Sequence, residues 1–291
     1  MPTHAMHKRL SQFALQSVDT PLGQVQYRRA GLATAANTCV LLHGIGSGSA
    51  SWLAQLEAAA CQPEAMCVLA WEAPGYGASH AVPSAQPLAG EYAQRVWAWL
   101  DALSVSSAIT LVGHSLGAIM AARAAVLQPQ RVRRLVLLAP AQGYGAASEA
   151  LRQQKREDRL NNLRRLGPER MAQQRASAML SPGASHEHIE FVQSIMAQVN
   201  VAGYTQAVHL LAQSDLLTDL SQWPGVLVLA SGQADTITPP SGCQSVAIAR
   251  QAPWHDLGHA GHACALEAAD AVNALLGLSS DHAAPTQKAR A

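Results

Sequence analysis

Residues 113–117, Gly-His-Ser-Leu-Gly, have the spacing G-x-S-x-G. They follow the apolar run 108–113 and precede a run of small, helix-forming residues, so Ser115 falls where strand must turn into helix. A serine at such a turn is held in strained backbone geometry that exposes its hydroxyl. Side chains two residues to either side would strike neighbouring backbone, which accounts for both flanking glycines. The turn also places Ser115 at a helix N-terminus, where unpaired N–H groups and the helix dipole favour developing negative charge. A serine hydroxyl is a weak nucleophile, however, and needs a base held by an acid.

When a sheet carries this turn, the partners follow in chain order, acid then histidine, at the carboxyl ends of later strands. The apolar run 225–232 leads into Gln-Ala-Asp, which presents Asp235. The run 132–140 offers no carboxylate before Glu149, so the competing position is empty. The base must come from 254–270, where His255, His259 and His262 are all available. Attack on a carbonyl creates an oxyanion that needs two donors. One is the backbone N–H of Leu116; the other is expected from the loop 43–48, His-Gly-Ile-Gly-Ser-Gly, where glycines let backbone approach a substrate.

Positioning these groups takes a sheet. Short apolar runs at 38–44, 66–75, 108–113, 132–140 and 225–232 alternate with helical periods, the clearest being Tyr92, Val96, Trp99, Leu100 and Leu103. The alternation predicts an α/β fold, a mostly parallel central sheet covered by helices on both faces, after a hairpin of 13–18 and 24–28. Residues 141–220 break the rhythm with four helical stretches, 148–166, 168–180, 186–199 and 202–217, and are read as an inserted helical cap. Residues 1–140 and 221–278 then form the core, and 279–291, lacking any apolar period, a disordered tail. The eight basic and four acidic residues of 149–175 read as a solvated helix face, with Leu151, Leu163 and Leu166 turned inward.

Hydrophobic residues make up 49% and charged residues 13%, and the formal net charge is +1. That balance leaves no electrostatic footprint for nucleic acid or an anionic membrane, so the expected partner is a small-molecule substrate. A homo-oligomer is compatible with the sequence. Cysteines 39, 61, 67, 243 and 264 lack C-x-x-C spacing and read as reduced, mostly buried thiols without disulfides. Ser11, Gln12 and Gln16 interrupt any signal-peptide-like apolar segment, and no run reaches the ~18 apolar residues of a bilayer span. The expectation is a soluble, cytoplasmic protein.

The segments LLHGIGSGSASW (41–52), APGYGAS (73–79), GHSLG, GQADTITPP (232–240) and AGHACALEAAD (260–270) resemble the successive signatures of the α/β-hydrolase superfamily, in its serine-nucleophile branch with a helical cap. The resemblance covers residues 38–277 apart from the cap. It implies that the base lies in a Gly-His pair with a glutamate five residues later, which His262 matches through Gly261 and Glu267, whereas His259 has Cys264 at that spacing. It also implies Ile45, after His-Gly, as the second oxyanion donor. His43 is expected to brace that loop, and His114 to pack or brace beside the nucleophile.

Other readings carry less. His255, His259, His262 and Cys264 do not suit a zinc site, because Gly258 and Gly261 break the helix that would align them. The loop HGIGSGS lacks the Gly-Lys-Ser/Thr of a phosphate loop, and Cys243 reads as a buried structural thiol. The resulting expectation is a serine hydrolase of a small carboxylic ester or lactone, acting through Ser115, Asp235 and His262, with the amides of Ile45 and Leu116 as oxyanion hole and no cofactor or metal. Trp52, Tyr144 and Tyr204 are expected to line an apolar substrate pocket roofed by a cap that gates access. The runners-up are hydrolysis of a carbon–carbon bond in a ring-cleavage dienone, for which cap arginines could supply a carboxylate clamp, a cofactor-free oxidase or perhydrolase, and a non-catalytic receptor. Serine at the nucleophile position speaks against the dehalogenase and epoxide-hydrolase branches that the resemblance also brings in.

Overall fold

Strands with no polar face are stable only where helices cover both sides of the sheet. In the computed structural model, which describes residues 3–278, the sheet has eight strands, β1 (Gln16–Val18), β2 (Val25–Ala30), β3 (Asn37–Leu42), β4 (Met66–Trp71), β5 (Ile109–His114), β6 (Val132–Leu138), β7 (Val226–Ser231) and β8 (Trp254–Asp256), of which β4 and β5 are buried throughout and β3, β6 and β7 over most of their length. Their order is β1-β2-β4-β3-β5-β6-β7-β8. The β1–β2 hairpin pairs antiparallel to β4, and every neighbouring pair from β4 to β8 is parallel. The mostly parallel sheet is therefore as expected, with the short β8 added at one edge.

Successive residues of a strand point to opposite faces, and here both sets are apolar. Val40, Leu42, Leu111 and Leu137 enter one core, while Leu41, Val112, Val136 and Leu138 enter the other. The helices are α1 (Thr3–Leu10), α2 (Leu53–Ala60), α3 (Ala89–Ala102), α4 (Leu116–Leu127), α5 (Glu149–Arg175), α6 (His186–Ala197), α7 (Val201–Gln213), α8 (Leu216–Ser221), α9 (Pro240–Arg250), α10 (Cys264–Glu267) and α11 (Ala269–Leu276). Tyr92 and Val96 of α3 and Ile119 of α4 cover the first face; Leu53 and Leu56 of α2 and Val272 of α11 cover the second.

Two features follow from short-range rules that periodicity does not report. The two helical stretches expected on either side of Gly167 are the arms of α5, bent where Gly167 takes φ 67 and ψ 171 and Pro168 opens the second arm. The expected helix over 202–217 ends at Gln213, and α8 restarts behind Asp215, whose side chain accepts from Leu217 N–H. α8 packs against α4 and α9, with Asp219 paired to Arg123 at 2.5 Å, so the insertion over the site consists of α5 to α7. The expected tail at 279–291 lies outside the described residues. Among the described residues the cysteines are unpaired, four buried and Cys61 exposed, and burial pushes the Cys243 thiol up to about 11. No helix there is long and apolar enough to cross a membrane.

Candidate active site

The strand order reverses between β3 and β5, because the chain leaves β3 towards β4 and returns on its other side. In open α/β sheets the crevice at the carboxyl ends of such strands is where ligands bind. The loop after β3 carries Gly44 and Ile45, and Ser115 follows β5 directly. Ser115 has φ 53 and ψ −118, a conformation that non-glycine residues avoid. It is locked there, its N–H donating to Leu138 O at 3.0 Å and its carbonyl accepting from Ala141 N–H at 3.1 Å.

The flanking glycines are a packing requirement. A Cβ on Gly113 would lie 2.4 Å from Gly117 O, and one on Gly117 would lie 2.2 Å from Leu42 O, backbone atoms that cannot turn aside. Gly117→Ala is expected to lower unfolding stability by about 3 kcal/mol, as overpacking against fixed atoms does, in a urea titration. A Cβ on Gly44 would lie 2.8 Å from Ser115 Cβ, so the chain at 44–45 passes directly over the serine. His43 braces this loop as one tautomer, Nδ1–H donating to Gly44 O at 2.9 Å and Nε2 accepting from Ala73 N–H at 3.0 Å. Leu116, the first residue of α4, has an N–H that no helical carbonyl can reach.

Asp235 and His262, 27 residues apart in sequence, meet at 2.9 Å between Oδ2 and Nδ1, and both are buried. The other carboxylate oxygen accepts from the N–H groups of Ile237 at 2.8 Å and Thr238 at 2.9 Å. Burial pushes the Asp235 carboxyl up, but the hydrogen bond and charge of His262 and the Thr238 donors outweigh it and hold it below its ordinary value. An ionised carboxylate accepts a proton on Nδ1, which leaves Nε2 of His262 as an acceptor. His262 and Ser115 border one cavity of about 240 Å³. The arrangement can take a proton from a hydroxyl and return it to a leaving group.

Three neighbours hold this geometry; the sequence reading expected His114 to pack or brace there, and gave no role to Thr238 or, beyond its spacing from His262, to Glu267. The Thr238 hydroxyl lies 2.9 Å from Asp235 Oδ2, 3.0 Å from Ala139 O and 3.1 Å from His262 Nδ1; threonine three residues after an aspartate is the one local sign of it. Glu267 accepts from Gly261 N–H at 2.8 Å and from Ser181 N–H and Oγ, tying the loop before His262 to the segment behind α5. His114 donates from Nε2 to His262 O at 2.7 Å, and burial with the neighbouring His262 charge drives its pKa down to about 3. His259 is exposed and outside the cavity wall.

Ile45, Leu116, Tyr144 and Tyr204 all line the cavity. Trp52 does not. A single 3₁₀ turn, Ser49–Trp52, swings its indole inward against His114 at 6.3 Å, where it lines a neighbouring cavity of about 30 Å³ shared with His262. The roof also brings Met171, Met179 and Met196, and Arg159 and Arg175 from the two arms of α5. Gln206 of α7 donates to Val82 O at 2.8 Å and Ser84 O at 2.7 Å, which fastens that part of the roof to the core.

The sequence profile of the alpha/beta hydrolase family matches residues 39–275. The chain belongs to this family. Among curated proteins this family member is 35% identical over 134 residues to the dihydrolipoyllysine-residue acetyltransferase component of the acetoin cleaving system of Cupriavidus necator, covering 46% of this chain and 34% of that one. The Pseudomonas putida component is 30% identical over 257 residues, covering 80% of this chain and 60% of that one. The chain thus spans a third to about three fifths of those relatives' length. Among solved structures the fold is shared with a thermophilic esterase from Thermogutta terrifontis, malate bound, at TM-score 0.78, 20% identity and coverage of 91% and 97%. It is shared as well with the enol-lactonase from Burkholderia xenovorans, at TM-score 0.76, 19% identity and coverage of 90% and 99%.

Proposed function

We propose that the chain is a serine hydrolase of a small carboxylic ester or lactone. The observation that carries this reading is the buried 2.9 Å contact of Asp235 with His262, which borders the same cavity as the strained Ser115. His262 Nε2 takes the Ser115 hydroxyl proton as Oγ bonds to the carbonyl carbon. The oxyanion is held by the amides of Leu116 and Ile45, and the proton passes to the leaving alkoxide as the ester bond breaks. Water then enters by the same steps, its proton going to His262 and back to Ser115, and the acid is released. Asp235 keeps the imidazole in the right tautomer and stabilises its cation.

An ester substrate fits the acyl-enzyme route and the names of the esterase and enol-lactonase that share the fold. A fluorophosphonate probe tests the nucleophile: labelling of Ser115, read by peptide mass, is the expected result, and an unlabelled protein refutes it. Turnover of a short p-nitrophenyl ester separates an enzyme from a receptor built on the same site.

A further inference from the structure

We infer that the substrate carries a carboxylate several atoms from the scissile carbonyl, gripped by Arg159 and Arg175; the idea that these residues serve an ester rests on the hydrolase reading above. Among the described residues the cavity is lined by Arg159 and Arg175 and by no aspartate or glutamate. Elsewhere on α5, Arg152 is matched with Glu149, and Arg156 and Arg164 with Glu157 at 3.7 and 3.8 Å, while Arg165 and Arg170 are exposed to solvent and do not line the cavity. Neither Arg159 nor Arg175 has a carboxylate within 4.0 Å among the described residues.

Their meeting is a product of the bend. A straight helix would set residues sixteen apart on nearly opposite faces and about 24 Å from each other. The left-handed Gly167 between the arms instead lets both reach one cavity. Arg159 is held in place, its guanidinium 5.6 Å over the Tyr144 ring and donating to Lys155 O at 3.2 Å. Two half-buried like charges repel each other and lose solvation, and an anion between them offsets both. A carboxylate matches the planar fork of arginine. At about 240 Å³ the cavity holds the equivalent of about eight waters, which suits a half-ester of a short dicarboxylic acid.

The test compares kcat/KM for the mono-p-nitrophenyl ester of glutaric acid with that for p-nitrophenyl butyrate. The wild type is expected to prefer the anionic ester. In Arg159→Gln/Arg175→Gln the ratio is expected to fall about 10- to 100-fold, mainly through KM. The lysine pair, which keeps the charge and loses the fork, is expected to fall between, and Arg164→Gln on the exposed side to keep the ratio. Calorimetric binding of free glutarate gives a reading without turnover, expected in wild type and lost in the glutamine pair. No preference in the wild type, or a ratio and glutarate affinity untouched in the glutamine pair, overturns the clamp. Glutarate binding that depends on both arginines, with neither ester hydrolysed, refutes the ester reading alone.

Discussion

Replacing Ser115 by alanine is expected to reduce kcat for a p-nitrophenyl ester by up to about a million-fold, leaving only the catalysis that binding and oxyanion stabilisation supply. The variant is expected to remain folded, because the lost hydroxyl occupies the cavity wall and the bonds that lock the turn are made by its backbone. Alanine keeps the Cβ and therefore the strain of φ 53. Glycine does not, so Ser115→Gly is expected to unfold at higher urea than Ser115→Ala, by about 1 kcal/mol or more, with activity equally absent. A glycine variant no more stable than the alanine variant would show that the turn carries no strain. Near-wild-type turnover in either would remove Ser115 from the chemistry.

Removing His262 is expected to cost nearly as much as removing Ser115, whereas His259→Ala is expected to keep activity within about twofold, since that ring lies in solvent away from the cavity. Full activity in His262→Ala would overturn the assignment of the base. Asp235→Asn is expected to lower kcat about 10⁴-fold, because an amide can present its own N–H to Nδ1 and leave the imidazole proton on the wrong nitrogen. It also has a signature in stability. Asp235 is held below its ordinary range in the folded chain, so its ionised form stabilises the fold above the unfolded-state value near 4, and that stability is lost as pH falls through the folded-state value. Urea midpoints of the wild type are therefore expected to fall on acidification below about pH 4, and those of Asp235→Asn to lack this part of the decline.

What could be read from the string depended on the length scale of the interaction. The strands β3 to β7 are six or seven residues of apolar chain, long enough for their pattern to stand out, and the glycines beside Ser115 record a clash only a few bonds away. Trp52 lines the smaller neighbouring cavity and not the one beside Ser115, because one 3₁₀ turn decides which way the indole swings and no periodicity encodes a single turn. β8, with three residues, falls below any pattern, and in α1 Met6 and Leu10, the buried ones among its described side chains, are too few to set a period. The convergence of Arg159 and Arg175 depends on the direction taken at Gly167, a backbone angle that composition leaves undetermined.

The bond from His114 to the carbonyl of His262 reaches further than its 2.7 Å. His114 precedes the nucleophile by one residue, so the spacing of hydroxyl and imidazole is set by one peptide unit and one hydrogen bond, although 146 residues of chain lie between them. The arms of α5 and the helix α7 supply walls to the cavity and stand outside that linkage. The roof is tied to the His262 loop through Met179, whose carbonyl accepts from Ala263 N–H at 2.7 Å, and Ser181, which donates to Glu267, so substitutions in the arms of α5 and in α7 can reshape the cavity without touching the bonds that hold the imidazole.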